Sequence, residues 1–157
     1  MRIYGFAPVE EKDAVLLIVG SMPSVMSLKD DFYYAHRQNA FWPMMAKIFS
    51  APVPETKEAK KCLLLDHKIA LWDVYASCVR EGSLDSAIRA GEKNDFDVFF
   101  KAHPHIRAVL CNGKAAYDAF DKNAPVPVLR LPSTSPAYTM KFESKLALWQ
   151  EAIKNYL

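Results

Sequence analysis

At 157 residues the chain is long enough for one domain with a buried core, and its 51% hydrophobic and 24% charged residues describe an ordinary soluble globule. No stretch approaches the ~20 apolar residues that cross a bilayer, and the start, "MRIYGFAPVEEKD", carries acids and no apolar core of a signal peptide, so a cytoplasmic protein is expected, or a nuclear one in a eukaryote. A net charge of +2 permits a nucleic-acid partner without indicating one.

In chain order, the first apolar run is Ala14 to Gly20, "AVLLIVG". Three more follow: Ile69 to Tyr75, Ile106 to Asn112 and Val126 to Pro132. Each is continuous or nearly so, the pattern of a strand covered on both faces. Helical periodicity fills the intervals, over Ala40–Phe49, Glu55–Asp66, Asp95–Ala102 and Gly113–Asp121, and a last helix spans Phe142–Tyr156. This alternation predicts an α/β fold: one three-layer α/β/α sandwich over residues 1–157, with a central, mostly parallel four-stranded sheet.

Open parallel sheets bind ligands beyond the carboxyl ends of their strands. The four ends read "GSMPS", "DVYASCVREGS", "CNGK" and "LPSTSPAY". They are rich in small hydrogen-bonding residues and poor in solvating Lys and Glu, which marks them as one site. "HPH", His103 to His105, precedes the third strand at the opposite end and reads as a solvated turn. Cys62, Cys78 and Cys111 stand apart without a CxxC pair. They fit core residues in a reducing compartment rather than a zinc site, an iron–sulfur cluster or a disulfide framework. GxSxG, HExxH, P-loop and GxGxxG motifs are all missing.

The stretch after the first strand, "GSMPSVMSLKDDFYYAHRQNAFW", is unusual for a loop. Asn39 stands before an apolar helix and reads either as its cap or as a functional amide. Tyr33 and Tyr34 read either as core or as a face on which a flat heterocycle stacks. "GSMPS … YYAHRQNAFW", with "NG" after the third strand and "LPSTSPA" after the fourth, resembles the uracil-DNA glycosylase superfamily, and within it the hypoxanthine-DNA glycosylase branch. "YAHRQNAFW" is also similar to the corresponding segment of mismatch-specific uracil/thymine glycosylases.

The resemblance implies a uracil-DNA glycosylase-like domain acting in base excision repair on DNA that contains a deaminated base, chiefly hypoxanthine. It implies no cofactor, no metal and a monomer. Met22 stands where many members carry a polar water-positioning group, and Leu131 where classical uracil enzymes carry histidine; uracil should therefore be a poor substrate. Asn39 matches the asparagine that the hypoxanthine branch uses instead. The implied roles are water positioning for Asn39, with Asp73 as the next candidate, and base stacking for Tyr34. Ser21, Met22 and Asn112 would contact the base, and Ser24, Arg80, Lys114, Ser133, Thr134 and Ser135 the DNA backbone. Asn112 can read a base edge only if neighbours pin its amide. A mismatch-type uracil/thymine glycosylase, a non-catalytic nucleotide- or nucleic-acid-binding module of the same fold, and a hydrolase of free nucleosides are the alternatives.

Overall fold

Strict alternation of buried side chains along the apolar runs gives the molecule its layers. The computed structural model describes all 157 residues. Strand β1 is Arg2–Tyr4, β2 Leu16–Gly20, β3 Ile69–Asp73, β4 Tyr75–Val79, β5 Arg89–Lys93, β6 Ala108–Asn112 and β7 Val128–Leu131. The helices are α1 Val25–Asp30, α2 Phe41–Ile48, α3 Lys57–Leu65, α4 Phe96–Ala102, α5 Lys114–Ala119 and α6 Phe142–Tyr156. In β2, Leu16 and Ile18 enter a core shared with α2, α3 and α6, while Leu17 and Val19 enter a second core with Phe99 of α4 and Ala116 of α5. β6 divides in the same way, Ala108 and Leu110 against Val109 and Cys111. A strand buried on both faces has no polar side, which is why these runs lack polar alternation. Each fully buried Leu or Ile contributes about 1.5–3 kcal/mol relative to exposure.

The central sheet is the expected four-stranded parallel one, in the order β3-β2-β6-β7. The chain after β2 passes over the face carrying α2 and α3, whereas the chain after β6 enters α5 on the other face. Beyond the ends of these neighbouring strands the two connections diverge. That divergence opens a crevice.

Three features depart from the sequence reading. The run Ile69–Tyr75 does not stay in one sheet: after Asp73 the chain turns into β4, which pairs antiparallel with β1 and β5 in a second, three-stranded sheet. β1 has three residues and every residue of β5 is exposed, so neither strand carries an apolar pattern to reveal it. His103 is buried rather than solvated: Nδ1 lies 2.8 Å from the Phe99 carbonyl and Nε2 2.8 Å from a Glu10 carboxylate oxygen. Cys78 and Cys111 are core residues, but Cys62 is exposed on α3. No helix is long and apolar enough to cross a membrane.

Candidate active site

Beyond the strand ends lies a cleft of about 290 Å³ lined by residues from all four predicted segments, among them Gly20 to Ser24, Asp73, Asn112 and Ser133 to Ser135. That volume admits a flat heterocycle. Tyr34, His36 and Asn39 form a further wall, and Ser83 and Asp85 close the side above β4.

The floor is set by Gly20. A Cβ there would lie 2.6 Å from Asp73 Oδ1 and 2.7 Å from the Tyr34 hydroxyl oxygen, so only glycine lets those two groups converge on the end of β2. Asp73 closes β3 and is 3% exposed; its Oδ2 has no hydrogen-bond partner. Burial, reinforced by the Asp85 carboxylate and opposed by the Arg80 guanidinium, lifts its pKa from the ordinary carboxylate range to about 7. The Tyr34 hydroxyl is also buried without a partner. Burial and the Asp73 charge hold this phenol far above its usual range, with the Asn112 amide pulling the other way. Tyr34 itself adopts φ 52°, a left-handed backbone uncommon for a bulky residue and a mark of local strain at the cleft. One face of its ring stacks on Phe41 at 4.3 Å between centroids.

Thr134 links the walls. Its N–H donates to Asn112 Oδ1 and its Oγ1 accepts from Asn112 Nδ2, both at 2.9 Å, while its carbonyl accepts from the Ala40 N–H at 3.0 Å. The Asn112 amide is therefore pinned in one orientation, and it joins β6 to the loop after β7. Gly113, with φ 96°, lets that loop approach: a Cβ on it would stand 3.0 Å from the Ser133 Cβ. Asn39 lies two residues ahead of α2, just before the N-cap Ala40, and its Oδ1 accepts from the Phe41 N–H at 3.0 Å. It does the work of a cap while lining the cleft. A carboxamide oxygen has two acceptor sites, so one remains.

The side wall is clipped on from β4 and β5. Ser21 Oγ donates to Asp85 Oδ1 at 2.5 Å, and Ser83 Oγ accepts from the Val25 N–H at 2.9 Å. Ser83 closes the predicted segment "DVYASCVREGS", whereas Asp85 lies beyond it and carried no signal, because the second sheet that brings it here carried none. Ser24 caps α1 by accepting from the Ser27 N–H. Ser133 Oγ accepts from the Ser135 N–H, and the Ser135 carbonyl accepts from Lys145 Nζ at 3.1 Å.

Two expected DNA contacts stand elsewhere. Arg80 is buried at 6% exposure, and its Nη2 donates to the Pro23 carbonyl at 2.6 Å, with Nε and Nη1 unpartnered. It supports the Gly20–Ser24 loop from behind and presents no surface charge to a phosphate. Lys114 is exposed, outside the cleft lining, and pairs with Asp118 one turn along α5. The exposed cation nearest in sequence to the cleft wall is Arg37, next to His36. No three His, Cys, Asp or Glu side chains come together as a metal site.

The parallel sheet thus carries, at its strand ends, a cleft that admits a flat heterocycle. Residues 7–156 match the model of the uracil DNA glycosylase superfamily, and the chain belongs to that family. It is 31% identical over 157 residues to the hypoxanthine DNA glycosylase of Methanosarcina barkeri, covering 98% of this chain and 99% of that one. The hypoxanthine DNA glycosylase of Methanosarcina acetivorans is 30% identical over 154 residues, covering 96% and 98%. The solution NMR structure of a Methanosarcina acetivorans protein proposed to be a uracil DNA glycosylase superposes with a TM-score of 0.87 at 30% identity, covering 99% of each chain.

Proposed function

We propose that this protein is a monofunctional DNA glycosylase of base excision repair that hydrolyses the N-glycosidic bond of deaminated bases, chiefly hypoxanthine. The observation that carries the reading is the likeness, over nearly the full length of each chain, to two proteins named hypoxanthine DNA glycosylases. The cleft is the size of one base, so a target in a duplex must first swing out of the stack. Breaking the bond leaves positive charge on the sugar and sends an electron pair to the base, which makes positioning and electrostatics the main levers.

Asn39 is assigned the attacking water. Its free acceptor site holds the water through Oδ1, and a neutral amide orients rather than deprotonates. Tyr34 offers the base the ring face that Phe41 leaves uncovered. Ser21 and Met22 bound the base from the β2 side, and Asn112, held by Thr134, fixes the opposite wall. Backbone amides and hydroxyls of Ser24, Ser133 and Ser135 supply contacts to the flanking strand, and Arg37 takes the phosphate role that Arg80 cannot. The protein works as a single-domain monomer in the cytoplasm, with DNA its partner and no cofactor.

The test is excision from oligonucleotides carrying inosine, uracil, xanthine or ethenoadenine, with chelator present and abasic sites cleaved by alkali. Hypoxanthine release above all other bases is expected. Uracil release at an equal or higher rate would transfer the chain to the uracil/thymine type, and the solved relative proposed to be a uracil enzyme makes that the reading to exclude.

A further inference from the structure

We propose that Asp73 meets the extruded base as a neutral carboxylic acid, donating a hydrogen bond to the base as it departs, and that ionisation of Asp73 switches excision off. This rests on the glycosylase reading and names a group that acts on the leaving base.

Asp73 ends β3 at the cleft floor, 97% removed from solvent by its 3% exposure, with Oδ2 lacking any partner. Its Oδ1 and the unpartnered Tyr34 hydroxyl converge on the same point above Gly20. Buried polar atoms in native proteins are nearly always satisfied. The Asp73 carboxyl and the Tyr34 hydroxyl thus meet at the cleft floor with Oδ2 and the phenol oxygen unpartnered, as groups that await a ligand would be.

The surroundings select the protonation state. Asp73 has no ion pair: the acids facing it are Asp85 and the phenols of Tyr33 and Tyr34, and the one cation is Arg80, whose Nη2 is directed to the Pro23 carbonyl. A buried carboxyl without a paired cation favours its neutral form. The result is a group that changes charge at about 7.

A neutral carboxyl presents one O–H donor and one carbonyl acceptor, the complement of a keto oxygen beside a ring N–H. In the reaction the bond from C1′ to the base nitrogen breaks, and its electron pair leaves with the base. Water forms the new bond to C1′ and releases a proton to solvent, and the base anion takes one from solvent. Asp73 keeps its own proton throughout and stabilises the charge developing on the base. Ionised, it would place a fixed negative charge beside that same developing charge.

Single-turnover excision of hypoxanthine DNA by wild type and Asp73→Asn, followed between about pH 5.5 and 9, tests this. The wild-type rate should fall about tenfold per pH unit on the alkaline side, while Asp73→Asn, which keeps a donor and an acceptor in the same shape, should stay level and overtake wild type at high pH. A wild-type rate that is flat or rising there overturns the inference, as does the same fall in Asp73→Asn. Should the variant fold poorly, the carboxyl carbon NMR signal of Asp73 in wild type decides: a titration in the ordinary carboxylate range overturns it. Absence of excision at every pH would instead overturn the glycosylase reading beneath it.

Discussion

Asn39 holds two jobs at once, and a substitution can separate them. Its Oδ1 takes the Phe41 N–H at the head of α2, so Asn39→Ala should cost about 1 kcal/mol of stability. If the remaining acceptor site holds the water, the same change should lower single-turnover excision by about 100-fold or more. Asn39→Asp keeps both the capping oxygen and the water acceptor, and should retain measurable turnover. Thermal melting beside single-turnover rates checks both effects; Asn39→Ala that melts lower yet excises at the wild-type rate removes Asn39 from the chemistry. Gly20 is the other single-atom constraint. In Gly20→Ala the new Cβ would stand 2.6 Å from Asp73 Oδ1 and 2.7 Å from the Tyr34 oxygen, closer than real carbons approach. Overpacking of a buried site costs typically 1–3 kcal/mol, and here the displaced groups are those of the cleft floor. A lower melting temperature together with loss of excision is expected; a fully active Gly20→Ala would mean that neither Asp73 nor Tyr34 need stay in place.

Between elements, the pocket is held less by strands than by the strut from Asn112 to Thr134. Thr134→Val keeps the shape but removes the Oγ1 that accepts from Asn112 Nδ2. A buried amide N–H left without a partner costs about 1–3 kcal/mol, and the amide is then held only by the backbone N–H of residue 134 at its Oδ1. Discrimination between hypoxanthine and other bases should weaken more than the rate on hypoxanthine itself, which competition between labelled duplexes measures; unchanged selectivity would make the strut purely structural. The four parallel strands were readable because burial on both faces leaves an unbroken apolar run, and their ends were readable as a site because "GSMPS", "CNGK" and "LPSTSPAY" turn abruptly small and polar. Asp85 was not, since β5 is exposed throughout and β1 has three residues. Arg80 was misplaced for a related reason: sequence shows a cation near a strand end, but only the pairing of β4 with β1 and β5 puts it beneath Pro23. Asp73 entered the sequence reading only as the next candidate to position the water, since its unpartnered Oδ2 exists only in three dimensions.

At the scale of the whole molecule, the net charge is only +2, and with Arg80 buried and Lys114 paired the DNA backbone must be met by other exposed cations such as Arg37. Affinity for DNA should fall with salt by a log–log slope of a few, about −0.9 per phosphate contact, and Arg37→Ala should reduce that slope by about one such step. A salt-independent affinity would argue against a DNA substrate. Global stability also carries the signature of Asp73. Its pKa moves from 3.8 to about 7 on folding, chiefly by burial. Between those values the folded chain holds a proton that the unfolded chain has released, so unfolding releases a proton and stability falls as pH rises. The contribution is complete below the lower value, declines across the window and levels off above the upper one. A shift of this size corresponds to an effect on the order of 4 kcal/mol. Asp73→Asn lacks the titration, so its melting temperature relative to wild type should climb by roughly 10 °C between acid and neutral pH. Melting curves of the two proteins in matched buffers across that range measure it without substrate. A constant difference would mean that Asp73 ionises as easily in the folded protein as in the unfolded one, and the neutral acid at the cleft floor would have no physical basis.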